Sequence, residues 1–305
     1  MSEPAPAKLG TAARSGVGAG LALAVGGSIA FSAKAIIVKL AYRHGVDAVT
    51  LIMYRMLFAL PLFVALAWWA GRGKPRLAAR DLRAVAGLGF CGYYLASYLD
   101  FAGLQYISAS LERLILYLNP TIVLFMGALL FKRRVRPQQL LALAVSYCGV
   151  LLVFGFEAKL SGADTALGAA LVFGSAVSYA VYLVYSGAEV QRLGALRLTG
   201  WATSVACLLC ILQFLLLRPL EAAWVAPPVI YLSLLNATLS TFVPVVMVML
   251  AIERIGATLT AQTGMIGPLS TILMGVWLLG EPFNAWILVG TLLVLSGVAL
   301  LARAR

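Results

Sequence analysis

The sequence predicts an all-α membrane protein, with ten transmembrane helices arranged as two inverted five-helix repeats in a bundle around a central cavity. Three observations carry this. Hydrophobic residues make up 62% of the 305 residues and charged residues only 11%, where a soluble domain carries about a quarter charged. Apolar runs of bilayer-spanning length, roughly 20 residues each, recur along the chain. The second half of the chain also repeats the first at one constant shift.

Ten runs separate at charged or Gly/Pro punctuation, near 17–40, 48–70, 82–104, 108–131, 137–156, 166–188, 196–217, 229–252, 258–279 and 284–302. Together they take about two thirds of the chain and leave only short loops. Residues 1–15 are Ala/Pro-rich and polar and are expected to form a disordered cytoplasmic tail. No cleavable signal is evident. The first repeat is expected over 16–157 and the second over 158–305.

Orientation follows from Lys and Arg in the flanks. With a cytoplasmic N-terminus, the inner segments hold 16 of the 23 basic residues and the outer ones only Lys39, Arg43, Lys159 and Arg218. This bias accounts for the net charge of +12 without a nucleic-acid partner. It predicts a multi-pass protein of the bacterial inner membrane with both termini cytoplasmic. Trp68, Trp69, Trp201, Trp277 and Trp286 sit near span ends, as an aromatic belt requires. The four cysteines, Cys91, Cys148, Cys207 and Cys210, all fall inside apolar runs, and the only histidine is His44. They read as packing residues, so no metal and no cofactor is expected.

At a shift of 148, Gly20 falls on Gly168, Gly26 on Gly174, Pro120 on Pro268, Gly127 on Gly275 and Gly149 on Gly297. Ala109 and Leu111 fall on Ala257 and Leu259, and Leu140 on Leu288. Five helices per half is an odd number, so the second half enters the membrane inverted. Such repeats typify secondary transporters, in which two halves rock about a central site.

The run SASLERLILYLNPTIVLFMGALL at 108–130 and its counterpart GATLTAQTGMIGPLSTILMGVWLLGEP at 256–282 resemble the EamA branch of the drug/metabolite transporter superfamily, over essentially the whole chain. Each half of that family ends its motif on Gly-Glu. Here the second half keeps Gly280-Glu281, while the first has Lys132-Arg133. Within the family the chain is most similar to YddG-type bacterial amino-acid exporters. The resemblance implies a basket-like ten-helix bundle, a central cavity, and efflux of aromatic and other amino acids.

An ionisable residue inside a span is expensive and marks a functional candidate. Lys34, Arg55, Asp100, Glu112 and Arg113 come from the first four spans. At 1.5 Å per residue all lie about 6–10 Å to the outer side of their span midpoints. They are expected to form an ion-pair network, or an outer gate built from Arg55, Asp100, Glu112 and Arg113. Lys34 is the candidate to meet a substrate carboxylate, and Asp100 or Glu112 to meet an amino group. The counterparts at the 148 shift, Tyr182, Thr203, Val248, Thr260 and Ala261, are uncharged.

Tyr94 and Tyr98 are four apart, and Tyr179 and Tyr182 three apart, so each pair shares a helix face. With Tyr117 they are expected either to pack between helices or to line a polar-aromatic cavity. Asn119, Asn236 and Gln262 add neutral donors and acceptors. The substrate-binding set is therefore Lys34, Tyr94, Tyr98, Asp100, Tyr117, Asn119, Tyr179, Tyr182 and Gln262. Pro120, Pro244 and Pro268 fall inside spans and are expected to kink them as hinges.

Catalysis would need a nucleophile with a base, or clustered metal ligands. The spans hold no histidine and no H-x-x-E or D-x-x-D run, so no enzyme is expected. No P-loop is present, so no ATP coupling within the chain is expected. The expected function is secondary transport, exporting aromatic and other neutral or zwitterionic amino acids by alternating access. No carboxylate lies at the midplane, which points to facilitated diffusion. The alternative is export of another small metabolite or drug, such as a sugar phosphate or nucleotide sugar. The partners are the amino-acid substrate and the lipid bilayer, and the protein is expected to be a monomer.

Overall fold

The computed structural model describes residues 9–131, 136–161, 163–264 and 266–303. Its described residues form thirteen α-helices, three π-helical segments and one short 3-10 turn, with no strand. The helices are α1 (Leu9–Tyr42), α2 (Ala48–Gly71), α3 (Ala79–Gly89), α4 (Ala96–Gly103), α5 (Ala109–Leu116), α6 (Asn119–Phe131) and α7 (Pro137–Ser161), followed by α8 (Ala163–Leu193), α9 (Ala195–Leu217), α10 (Pro227–Ala237), α11 (Val243–Thr263), α12 (Ile266–Met274) and α13 (Ala285–Arg303). Eight helical segments are long and apolar enough to cross a membrane. The stretches expected at 82–104 and 258–279 are also helical, but they are assembled from shorter pieces. α1 begins at Leu9, so the helix takes up part of the expected tail, while residues 1–8 lie outside the described ones.

Side chains set several ends. Asp47 caps α2, accepting from the backbone N–H of Val49 at 2.9 Å, which satisfies a donor the first helical turn leaves open. Ser108 caps α5 by accepting from Leu111 N at 3.0 Å. Asn284 does the same for α13, accepting from Ile287 N at 3.0 Å. Trp68, Trp69, Trp277 and Trp286 are exposed, as interface anchors would be.

The 148 shift maps contacts onto contacts. A Cβ on Gly20 would meet Ile255 and Arg254, and one on Gly168 would meet Ile107 and Tyr106. Each pair differs by the same shift. Gly26 lies against Met247, and Gly174 against Leu99. Gly149 and Gly297 both lie in the α7–α13 interface, against the backbone carbonyls of Gly290 and Ala142. The main pairings, α1 with α11, α4 with α8, α2 with α9 and α7 with α13, all run between the two halves of the chain. Reciprocal contacts of this kind are what a two-fold relation produces.

Part of the irregular backbone obeys the shift too, whereas the π segment Gly275–Leu279 falls on 127–131, which is α-helical. π-Helical segments occur at Phe90–Leu95 and at Thr238–Phe242, the same position in each half. Helix breaks fall at Tyr117–Leu118, between α5 and α6, and at Gly264, between α11 and α12. Pro120 and Pro268, two of the expected hinges, stand in the first turn of the helix that follows a break, where a missing N–H removes no internal bond. Pro244 follows the π segment Thr238–Phe242 without a break and lies inside the continuous helical span Pro227–Ile252. Pro61, which does lie inside α2, interrupts nothing. The interruption expected at 253–257 is present as a kink at Gly256 (φ 79, ψ 160), where two helical stretches of Val243–Thr263 meet.

Candidate substrate site

Three of the five expected intramembrane charges meet. The Lys34 ammonium on α1 donates to Asp100 Oδ2 on α4 and lies 2.9 Å from Glu112 Oε1 on α5. Lys34 keeps 15% of its side chain exposed, while Glu112 is wholly buried. Neither Glu112 oxygen, nor Asp100 Oδ1, accepts a hydrogen bond among the described residues. The Lys34–Glu112 contact is thus a charge contact, out of line for a hydrogen bond.

Arg113 and Arg55 flank the cluster but form no ion pair among the described residues, which corrects their expected place in the network. Arg113 Nη2 donates to Ser32 Oγ at 2.7 Å, and its guanidinium stands 6.0 Å from the Tyr117 ring. Ser32 in turn donates to the carbonyl of Gly267 at 2.8 Å. Arg55 Nε donates to Thr241 Oγ1 at 3.1 Å and the guanidinium lies over the Phe101 ring at 5.0 Å. A cation on a ring face recovers part of the hydration it has lost. The buried Nη1 of Arg55 has no partner among the described residues.

Two expected binding residues serve the helix breaks instead. The Tyr117 hydroxyl donates to the Gly264 carbonyl, and Asn119 Nδ2 donates to the Leu116 carbonyl at 3.0 Å. Both carbonyls lie at points where helical hydrogen bonding stops, so these side chains fill the gap. The break in one half is therefore tied to the break in the other by Tyr117. The side chain of Gln262 lies outside the described residues.

The tyrosines divide. Tyr179 and Tyr182 stack at 5.5 Å, and Tyr182 meets Tyr93 edge-on at 5.1 Å with hydroxyls 3.1 Å apart. This group packs with Val85, Leu88 and Leu198, away from Lys34. Tyr94 and Tyr98 are half-buried and border the apolar core that contains Phe101 and Ile52. Sequence periodicity missed Tyr93 because the π segment adds a residue to the turn and rotates the face. Ser32 had no signal beyond a small polar residue in an apolar run.

One end of the bundle is clasped. The Glu281 carboxylate accepts from Ala109 N at 2.7 Å and from Ser110 Oγ at 2.8 Å, so it caps α5 from the far half of the chain. Glu157 accepts from the Ser108 hydroxyl and backbone N–H. Lys39 donates to the Ile107 carbonyl at 2.8 Å, and Arg43 to the Leu279 carbonyl at 2.6 Å. These residues, with Tyr42 and Asp47, line a cavity of about 750 Å³ at that end. The Gly280-Glu281 motif was the sequence signal for this clasp. Its first-half counterpart, Lys132-Arg133, lies outside the described residues.

Long apolar helices paired by a repeat, with a buried cluster of opposite charges between them, define a membrane transporter. The family model described as the EamA-like transporter family matches residues 18–155 and again 166–303. Both ends of the second match lie 148 residues beyond those of the first. The chain belongs to the EamA-like transporter family. It is 32% identical over 261 residues to an uncharacterized transporter, YcbK, of Bacillus subtilis (strain 168), covering 84% of this chain and 83% of that protein. It is 22% identical to an uncharacterized transporter of Archaeoglobus fulgidus, covering 83% and 87%. A solved crystal structure shares the fold at a TM-score of 0.64 and 18% identity, covering 94% of this chain and 98% of its own.

Proposed function

We propose that this transporter exports neutral and aromatic amino acids by alternating access, as a monomer with ten crossings of the bacterial inner membrane and both termini cytoplasmic. The observation that carries the reading is the buried Lys34–Asp100–Glu112 cluster. A zwitterion can enter such a cluster without changing its net charge. Its carboxylate takes the Lys34 ammonium or the neighbouring Arg113, and its ammonium takes Glu112 or Asp100. A dianionic sugar phosphate would bring two uncompensated charges into a site whose cation is already paired, which costs far more in a low-dielectric interior. Tyr94 and Tyr98, half-buried beside the apolar core, are the residues taken to receive the substrate side chain.

Under this topology the clasped end faces outward. In this reading Glu281, Glu157, Lys39 and Arg43 form the outer gate, and transport requires their contacts to break and re-form.

The reading is tested by counterflow in proteoliposomes with labelled amino acids, sugar phosphates and organic cations, for wild type and Lys34→Ala. Amino acids are expected to exchange, and Lys34→Ala is expected to lose at least tenfold in rate. Exchange of sugar phosphates without amino acids would refute the substrate class. Normal exchange by Lys34→Ala would remove the role of that residue.

A further inference from the structure

We propose that Asp100 and Glu112 together hold one exchangeable proton beside Lys34, and that the ammonium group of the substrate displaces it, so that export is exchanged for protons. The proposal rests on the amino-acid reading above. It also replaces the expectation of facilitated diffusion, which had stood on the lack of a midplane carboxylate.

Charge and partner counting carry it. Two carboxylates from different helices converge on a single ammonium. Glu112 is wholly buried, and three of the four carboxylate oxygens accept no hydrogen bond among the described residues. Buried carboxylate oxygens without donors are costly, and two carboxylates sharing one site resist being ionised together. One proton held between them removes the excess charge and turns an orphan oxygen into a donor.

The other charged groups nearby are engaged elsewhere. On α5 itself, Arg113 donates to Ser32. On α2, Arg55 is held by Thr241 and the Phe101 ring. On α7, Glu157 is bound to Ser108, and beyond α12, Glu281 is bound to Ser110. Helix α12 carries no charged residue, α8 carries Asp164, Glu189 and Arg192 only at its ends, and α13 has only Arg303 at its far end. The Lys34 ammonium is thus the one cation in direct contact with the carboxylate pair among the described residues.

The cycle balances without a covalent step. Facing outward, the empty site takes a proton from water onto a carboxyl oxygen. Facing inward, the substrate –NH3+ settles beside the same oxygen and the proton leaves to water. The site thus carries a net-neutral zwitterion outward and a proton inward, so each turnover moves one positive charge inward.

The test uses the reconstituted full chain with a pH dye trapped in the vesicle lumen. When substrate is added outside, wild type is expected to alkalinise the lumen by one proton per substrate taken up. With the membrane potential clamped at zero by valinomycin and equal potassium on both sides, a gradient of one pH unit, acid inside, is expected to drive about tenfold accumulation. Glu112→Asp should keep the signal, and Glu112→Gln should lose it. Substrate exchange by wild type with no lumen pH change would overturn the proposal, as would a Glu112→Gln protein that still alkalinises. The wild-type dye signal decides even if the glutamine variant fails to fold. Failure of amino acids in the counterflow panel speaks instead against the substrate class, and the dye is then read with whichever compound exchanges.

Discussion

Individual side chains in this protein do two separable jobs, and substitution should tell them apart. Lys34 and Glu112 meet in the buried charge cluster proposed to bind substrate, whereas Asp47 serves the fold. Burial raises Asp47, but hydrogen bonds from the Thr50 hydroxyl and N–H, followed by Arg218, pull its carboxyl below the ordinary value of 3.8. A carboxyl lowered on folding contributes stability that is full above 3.8 and is lost as pH falls through the lowered folded value. Asp47→Ala should therefore melt earlier in detergent at pH 7, by a cost of about 1 kcal/mol for a lost N-cap. The gap to wild type should shrink only below pH 3.8. Gly256 makes a second case. Its φ of 79 with ψ of 160 is a conformation that only glycine adopts readily. Gly256→Ala should cost about 1–3 kcal/mol in the same melts.

Between helices, the repeat is the organising fact, and the sequence showed it through glycines and prolines. Gly20 and Gly149 aligned with Gly168 and Gly297 because close helix contact admits no side chain there, and the structure shows those contacts, while Gly174, the partner of Gly26, has room for one. Pro120 and Pro268 were legible as paired, but their meaning was not. A proline in an apolar run looks like a kink, while only coordinates show that each opens a new helix after a break. The π segments were not legible, since one extra residue in a turn leaves no mark in composition. Gly92, inside the first π segment, lies against Tyr182, where a Cβ would come within 2.5 Å of the ring. Gly92→Ala should destabilise by about 1–3 kcal/mol through overpacking, read as a lower melting temperature. The charged site was legible in part. Depth along the helices gathered Lys34, Asp100 and Glu112 correctly, but depth carries no information about rotation, so Arg55 and Arg113 were expected in a network that they only flank.

The whole molecule is a bundle of two repeats with unlike ends. Glu281 clasps one end from the second half of the chain, and the first half has Arg133 at the equivalent position. Glu281→Ala should free that end. A cysteine placed at Ile107, which is 2% exposed beside the clasp, should then react with a membrane-impermeant maleimide several-fold faster than in a protein that keeps Glu281. Whether the Lys34–Asp100–Glu112 cluster, built wholly from the first repeat, binds a zwitterion decides the proposed function. It is tested most directly by equilibrium binding of a labelled neutral amino acid to the purified protein. The competitors are the matching amine without a carboxylate, the matching acid without an amino group, and a sugar phosphate. The account predicts that the unlabelled zwitterion competes at least tenfold better than any of the three. Equal competition by the amine or the acid, or displacement by the sugar phosphate, would contradict it.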